Sequence, residues 1–196
     1  MLSGLSAILR RVEMLCKVYD GIFDDLYIHQ IDAMMRDTVA VYPNNVANRT
    51  TWPYGNEGSH RLLGRVVFDR KSLNRITILH PSAQTFFDMF ERIESKMQRQ
   101  MYLTQIQVNL QHTGCDGTTH TDSDNPNDLT IMVMTTPKWE SHWGGQFQLM
   151  DADGVVEEHE YKPGRVLIIP SNHPHRGLGP TEKYLYRTTV VYRVTT

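Results

Sequence analysis

The period of the hydrophobic pattern changes near residue 100, and this limits the possible folds more than any other feature. From residue 102 onward apolar residues alternate with polar ones or form short continuous runs: "YLTQIQVNL" (102–110), "LTIMVMT" (129–135), "GQFQLMD" (145–151), "GRVLIIP" (164–170) and "KYLYRTTVVYRV" (183–194). Gly, Pro, Asn and Asp break these runs, so each reads as a short strand bounded by turns. Upstream the spacing is helical. Residues 2–18 and 24–38 carry helix patterns, and "SAQTFFDMFERIESKMQRQ" (82–100) puts Phe86, Phe90, Ile93 and Met97 on one stripe behind a serine cap. A long Asn/Pro/Gly-rich loop spans 41–60, followed by short β-like pieces at "GRVVF" and "ITIL".

Helices first and strands later, with no βαβ alternation, predict an α+β or mainly β chain, a sandwich with helices packed on one sheet. With 196 residues, one domain is expected. In it, 1–101 supply helical support and a possible lid loop, and 102–196 form the β core.

A net charge of −2 and a pI near 6.5 provide no broad basic field, so a nucleic-acid partner is not expected; a small molecule or a short peptide is. Cys16 and Cys115 are too few for a disulfide framework, which favours a reduced, cytoplasmic setting. The run Val166-Leu167-Ile168-Ile169 is far too short to span a membrane. Leu2, Leu5, Ile8, Leu9 and Val12 fit a core-packing helix face instead of a secretory signal. The oligomeric state is not legible.

The chemistry concentrates in two segments. In an extended chain residues i and i+2 project to one side, so His120 and Asp122 of "HTDSDN" can offer an imidazole nitrogen and a carboxylate oxygen to one cation. The triplet alone is weak: this composition yields about 0.6 His-x-Asp triplets by chance, so context must carry it. Context comes from "KPGRVLIIPSNHPH", a Pro-Gly turn and apolar strand leading to His173 and His175. Two histidines and one carboxylate with open coordination positions form a facial triad suited to non-haem Fe(II).

Four ordered blocks carry a family resemblance: "NLQHTGCDGTTHTD", "PKWESHWGGQFQLMD", "YKPGRVLIIPSNHPHRGLGP" and "YRTTVVYRV". Together they resemble the catalytic core of the Fe(II)- and 2-oxoglutarate-dependent dioxygenases, prolyl 4-hydroxylase-like branch, over about half the chain. The resemblance implies a double-stranded β-helix, or jelly roll, with iron, 2-oxoglutarate and O2 as its reagents. Hydroxylation of an unactivated C–H bond, with succinate and CO2 as co-products, is the implied reaction; peptidyl proline or a related amino-acid-type molecule is the implied substrate.

Carried onto this sequence, the resemblance implies His120, Asp122 and His175 as metal ligands, with His175 preferred to His173. It implies a basic anchor for the far carboxylate of 2-oxoglutarate, for which Lys183 and Arg187 bracket the spacing. Arg187 is favoured, because a guanidinium grips a carboxylate bidentately and Thr189 offers a hydroxyl from the same strand face. Gln111 is a departure, standing where relatives often carry a tyrosine that touches the co-substrate.

Strand parity adds an independent reading. Gln105, Gln107, Asn109 and Gln111 share one face of 102–111, and Leu185, Arg187, Thr189 and Val191 one face of the closing strand. If helices cover the opposite faces, these line a polar cavity, with Gln107 and Asn109 as candidate co-substrate contacts. Trp139, Trp143, Gly144 and Gly145 read as a packed rim, His112 and His142 as loop residues, Cys115 as a turn residue, and Trp52 and His60 as lid candidates. Two other classes stay open: a cupin-like metalloenzyme without 2-oxoglutarate, which would keep turnover when Arg187 and Lys183 are both removed, and a silent jelly-roll binding module, which would bind no iron.

Overall fold

The computed structural model describes residues 15–44, 62–72 and 75–196. Among these residues eleven strands and two α-helices follow one another. They are β1 (Lys17–Tyr19), α1 (Asp25–Thr38), β2 (Tyr42–Asn44), β3 (Leu62–Ser72), β4 (Arg75–Leu79), α2 (Ala83–Met97), β5 (Tyr102–His112), β6 (Asp128–Met134), β7 (Phe147–Asp151), β8 (Gly154–His159), β9 (Val166–Pro170), β10 (His175–Gly177) and β11 (Tyr186–Thr195).

An antiparallel major sheet runs β1-β9-β6-β11-β5-β3-β2, with β4 added to β3, and a minor sheet runs β10-β7-β8. Alternation explains how they pack. In β6, Ile131 and Val133 join α1 and α2 in one core, while Met132 and Met134 turn to a second core with Phe147 and Leu149 of the minor sheet. Val166 and Ile168 of β9 likewise face the helices, and Leu167 and Ile169 face the minor sheet. Strands covered on both sides need apolar residues at every position, which is why these two read as continuous apolar runs. The arrangement is the helix-backed jelly roll that the resemblance implied.

The helical stripe of α2 is core as expected: Phe86, Met89, Phe90 and Ile93 are buried, Phe90 stacks on Tyr192 with ring centres 5.3 Å apart, and the Tyr192 hydroxyl donates to the Phe86 carbonyl at 3.0 Å. The expected serine cap is corrected. Ser82 has φ −84° and ψ 5°, and its hydroxyl donates to Thr38 Oγ1 at 2.9 Å instead of capping α2. Asp24 caps α1, accepting from Tyr27 N at 2.7 Å.

The helix expected over 2–18 is corrected at its end, where Lys17–Tyr19 pair with Val166–Ile168 and give the β9 edge a partner; residues 2–14 lie outside the described residues. So do Trp52, His60 and most of the 41–60 loop. The described residues before 102 contribute four strands as well as two helices. No helix among the described residues is long and apolar enough to cross a membrane.

Candidate active site

Two segments distant in sequence are joined by a small backbone bridge. His120 N donates to His175 O at 3.0 Å and His175 N to His120 O at 2.9 Å, while Asp122 N donates to Ser171 O at 2.8 Å. These bonds hold the loop after β5 against the turn from β9 to β10, and they bring His120, Asp122 and His175 together. Ligand atoms of the three lie within 4.8 Å of one another. His120 Nε2 is 3.7 Å from Asp122 Oδ1, and His175 Nε2 is 3.4 Å from Asp122 Oδ2.

Both imidazoles are oriented from behind. His120 Nδ1 lies 2.7 Å from Thr118 O and His175 Nδ1 lies 2.8 Å from His173 O. A carbonyl can only accept, so each Nδ1 carries a proton and each Nε2 is the ring nitrogen turned to the centre, the orientation a metal requires. His173 supplies that carbonyl and its own ring stands outside the cluster. Burial, then the nearby His175, pushes the His173 pKa down.

Asp122 is held at both oxygens. Arg193 Nη2 donates to Oδ1 at 2.6 Å and Thr130 Oγ1 to Oδ2 at 2.7 Å. Burial would raise the pKa of this carboxyl, but Arg193, His175 and His120 outweigh it and hold the group well below the usual carboxylate range. It therefore stays ionised, as a ligand must.

A cavity of about 430 Å³ opens beside this cluster. Its wall includes Gln105, Gln107, Asn109 and Gln111 of β5 and Arg187, Thr189 and Val191 of β11, as parity predicted; Arg193 joins them, and Leu185, expected on the same face, borders a separate surface depression instead. Gln107 Nε2 donates to Asn109 Oδ1 at 2.6 Å. Arg187 is 2% exposed, and its partners are all neutral: the Gly145 carbonyl at 2.9 Å, Gln111 Oε1 at 2.6 Å and Met132 Sδ at 3.9 Å. Burial pushes its pKa down to about 10. A buried cation with no carboxylate beside it is unfavourable alone and suits an anionic ligand.

Lys183 is not brought to the cavity. It is exposed and borders a separate surface depression with His112, Tyr184 and Tyr186. Trp139 packs 4.4 Å from the Tyr161 ring and bonds the Gly144 carbonyl at 3.0 Å, a rim position. His142 faces Glu140 at the surface, and Cys115 Sγ sits 3.2 Å from His112 Nε2.

Residues 104–192 match the family model described as the 2OG-Fe(II) oxygenase superfamily. Over this segment, a little under half of the chain, the sequence is similar to that superfamily. No curated protein sequence matches the chain. Several solved structures share the fold. An oxidoreductase of the 2OG-Fe(II) oxygenase family from Burkholderia pseudomallei is 16% identical with a TM-score of 0.68, covering 93% of this chain and 86% of that one. A prolyl hydroxylase from Trichoplax adhaerens, in complex with a hypoxia inducible factor peptide fragment, is 13% identical with a TM-score of 0.63, covering 92% and 83%. The epimerase SnoN, in complex with Fe3+, alpha ketoglutarate and nogalamycin RO, is 10% identical with a TM-score of 0.58, covering 92% and 78%.

The superfamily's cofactors are Fe(II) and 2-oxoglutarate, and the donor set fits both: two imidazoles and an ionised carboxylate for the metal, a buried guanidinium for the organic dianion. Sequence reasoning missed Arg193 and Thr130. Extending the β11 alternation one step past Val191 reaches Arg193, so that signal was present. Thr130 carried none, because its role depends on β6 lying beside β9 and β11.

Proposed function

We propose that the chain is an Fe(II)- and 2-oxoglutarate-dependent dioxygenase that hydroxylates an unactivated C–H bond of peptidyl proline or a related amino-acid-type substrate. The observation that carries this reading is one cavity holding both a His-Asp-His cluster and a buried arginine whose partners are all neutral. His120, Asp122 and His175 would hold iron, and Arg187, with Thr189 beside it, would hold the far carboxylate of 2-oxoglutarate. When bound, iron would supply the oxidative chemistry, in which O2 gives one oxygen atom to 2-oxoglutarate as it becomes succinate and CO2 and the other to the substrate C–H bond. Gln107 and Asn109 supply polar wall to the same cavity, and Phe147, Met132 and Val191 supply apolar wall. In this reading 102–196 form the catalytic core of one domain, and the described residues before 102 back it, with Leu62, Gly64, Arg65 and Val66 of β3 adding to the cavity wall.

The substrate class is supported by the prolyl hydroxylase among the structures of similar fold. Anaerobic titration with Fe(II) and then 2-oxoglutarate tests the reading: a weak visible charge-transfer band and succinate formation on admitting O2 are expected. A protein that binds neither would not be this enzyme.

A further inference from the structure

We propose that Arg193 receives a carboxylate of the organic substrate, so that the substrate is a small amino-acid-type molecule with a free carboxylate and not a residue inside a peptide. This rests on the oxygenase reading above. Arg193 and Arg187 lie six positions apart on one strand face, which separates their backbones by about 20 Å, and both side chains line the same cavity. Arg187 thus serves one end. Arg193 stands at the other, against the carboxylate of the metal cluster.

The Arg193 guanidinium is only partly used. Nη2 donates to Asp122, Nε is buried without a hydrogen-bond partner, and 37% of the side chain is accessible. Gln105 is its register partner on β5 and lines the cavity with it, adding a carboxamide donor. Among the described residues of the cavity wall, Asp122 is the one carboxylate.

A divalent metal on Asp122 draws on the negative charge that otherwise neutralises Arg193. The two charges of 2-oxoglutarate offset those of the metal. The wall's arginines, Arg65, Arg187 and Arg193, then share a single wall carboxylate among the described residues, and the loaded cavity favours one more anion. A guanidinium fork with a neighbouring amide matches a carboxylate, which takes two parallel hydrogen bonds. Size points the same way: about 430 Å³ is near the low end of the roughly 300–1,000 Å³ range of ligand pockets, and it must also take the co-substrate.

The test uses the full chain loaded anaerobically with Fe(II) and saturating 2-oxoglutarate. The twenty standard L-amino acids, their C-terminal amides and N-acetyl-L-prolyl-glycinamide are measured by ligand-observed NMR. At least one free acid should bind saturably and at least tenfold more tightly than its amide, and Arg193→Gln should erase that preference. No saturable acid, an amide within threefold of its acid, tighter binding of the blocked peptide, or a preference kept in Arg193→Gln would each overturn the proposal. If Arg193→Gln cannot hold the cofactors, Arg193→Lys decides, because it keeps a charge without the fork: a preference reduced at least threefold supports the idea and an unchanged one sinks it. Absence of the charge-transfer band in the wild type would instead count against the oxygenase reading.

Discussion

Arg187 and Gln111 are register partners on adjacent strands, and the guanidinium donates to the carboxamide oxygen across 2.6 Å. The carboxamide is itself fixed, since Gln111 Nε2 donates to the carbonyls of Cys115 at 2.7 Å and Gly177 at 2.9 Å. Gln111 thus aims the arginine from the facing position on the neighbouring strand.

Removing Arg187 should weaken 2-oxoglutarate binding. A buried carboxylate without its cation costs on the order of 3–5 kcal/mol, so Arg187→Ala should lose two orders of magnitude or more of affinity while sparing iron. Gln111→Leu should lose about tenfold, the worth of one charge-assisted hydrogen bond. Lys183→Ala should change nothing, because its side chain lies outside the cavity. Anaerobic titration of the iron-loaded variants checks all three, and a large loss in Lys183→Ala would refute the assignment.

Iron retention should follow the cluster. Asp122→Ala and His175→Ala should abolish iron binding with the fold intact, whereas His173→Ala should keep it, since only the His173 backbone carbonyl touches the ligand histidine. Metal content after anaerobic loading, with circular dichroism as the fold control, decides between the two histidines.

Gly145 sits at φ +79°, and a Cβ there would come 2.7 Å from Trp139 Cζ2 and 3.4 Å from Arg187 Cδ. The left-handed backbone alone costs a non-glycine residue about 1–3 kcal/mol. Gly145→Ala should therefore lower stability by at least that order and also weaken 2-oxoglutarate binding through Arg187. Urea unfolding with a parallel binding titration measures both; unchanged stability would refute the packing account.

Asp20 ties the stretch before α1 to the turn before β9, bonding Arg165 Nε and Lys162 Nζ, each at 2.9 Å. The bond to Arg165, together with Lys162 and against partial burial, lowers its pKa from 3.8 to about 2. A depressed carboxylate pKa contributes stability that is present above its ordinary value and lost as pH falls through the folded one. Because the group is 38% exposed, solvent screening limits the contribution to about 1 kcal/mol or less. Asp20→Asn should be slightly less stable at pH 7, and the two proteins should converge as pH falls from about 4 to about 2. A gap that stays constant over that interval would show the pair has no such role.

Much of the site was legible because strand alternation is a local property. The β5 and β11 faces follow from period two alone, and so does the projection of His120 and Asp122 to one side. Four of the described strands escaped for physical reasons. β10 has only three residues, β8 is a mostly exposed edge pattern, β1 lies inside a helix-like spacing that pairing with β9 overrides, and the three residues of β2 sit at the start of the Asn/Pro/Gly-rich stretch and are strand only through pairing with β3. Ser82 fits the composition of a cap, yet its hydroxyl is taken by Thr38, forty-four positions away.

By itself the sequence determined which residues share a face, where turns fall and which residue types carry metal and anion chemistry, because backbone stereochemistry sets these within a few positions. Tertiary structure alone decided which faces meet. Only the backbone bridge between His120 and His175 gathers the cluster. Only β11 packed beside β6 sets Arg193 and Thr130, direct register partners, on opposite oxygens of Asp122. Such pairings join residues tens of positions apart and are settled by burial and hydrogen bonding across the whole core, for which no local pattern carries a mark.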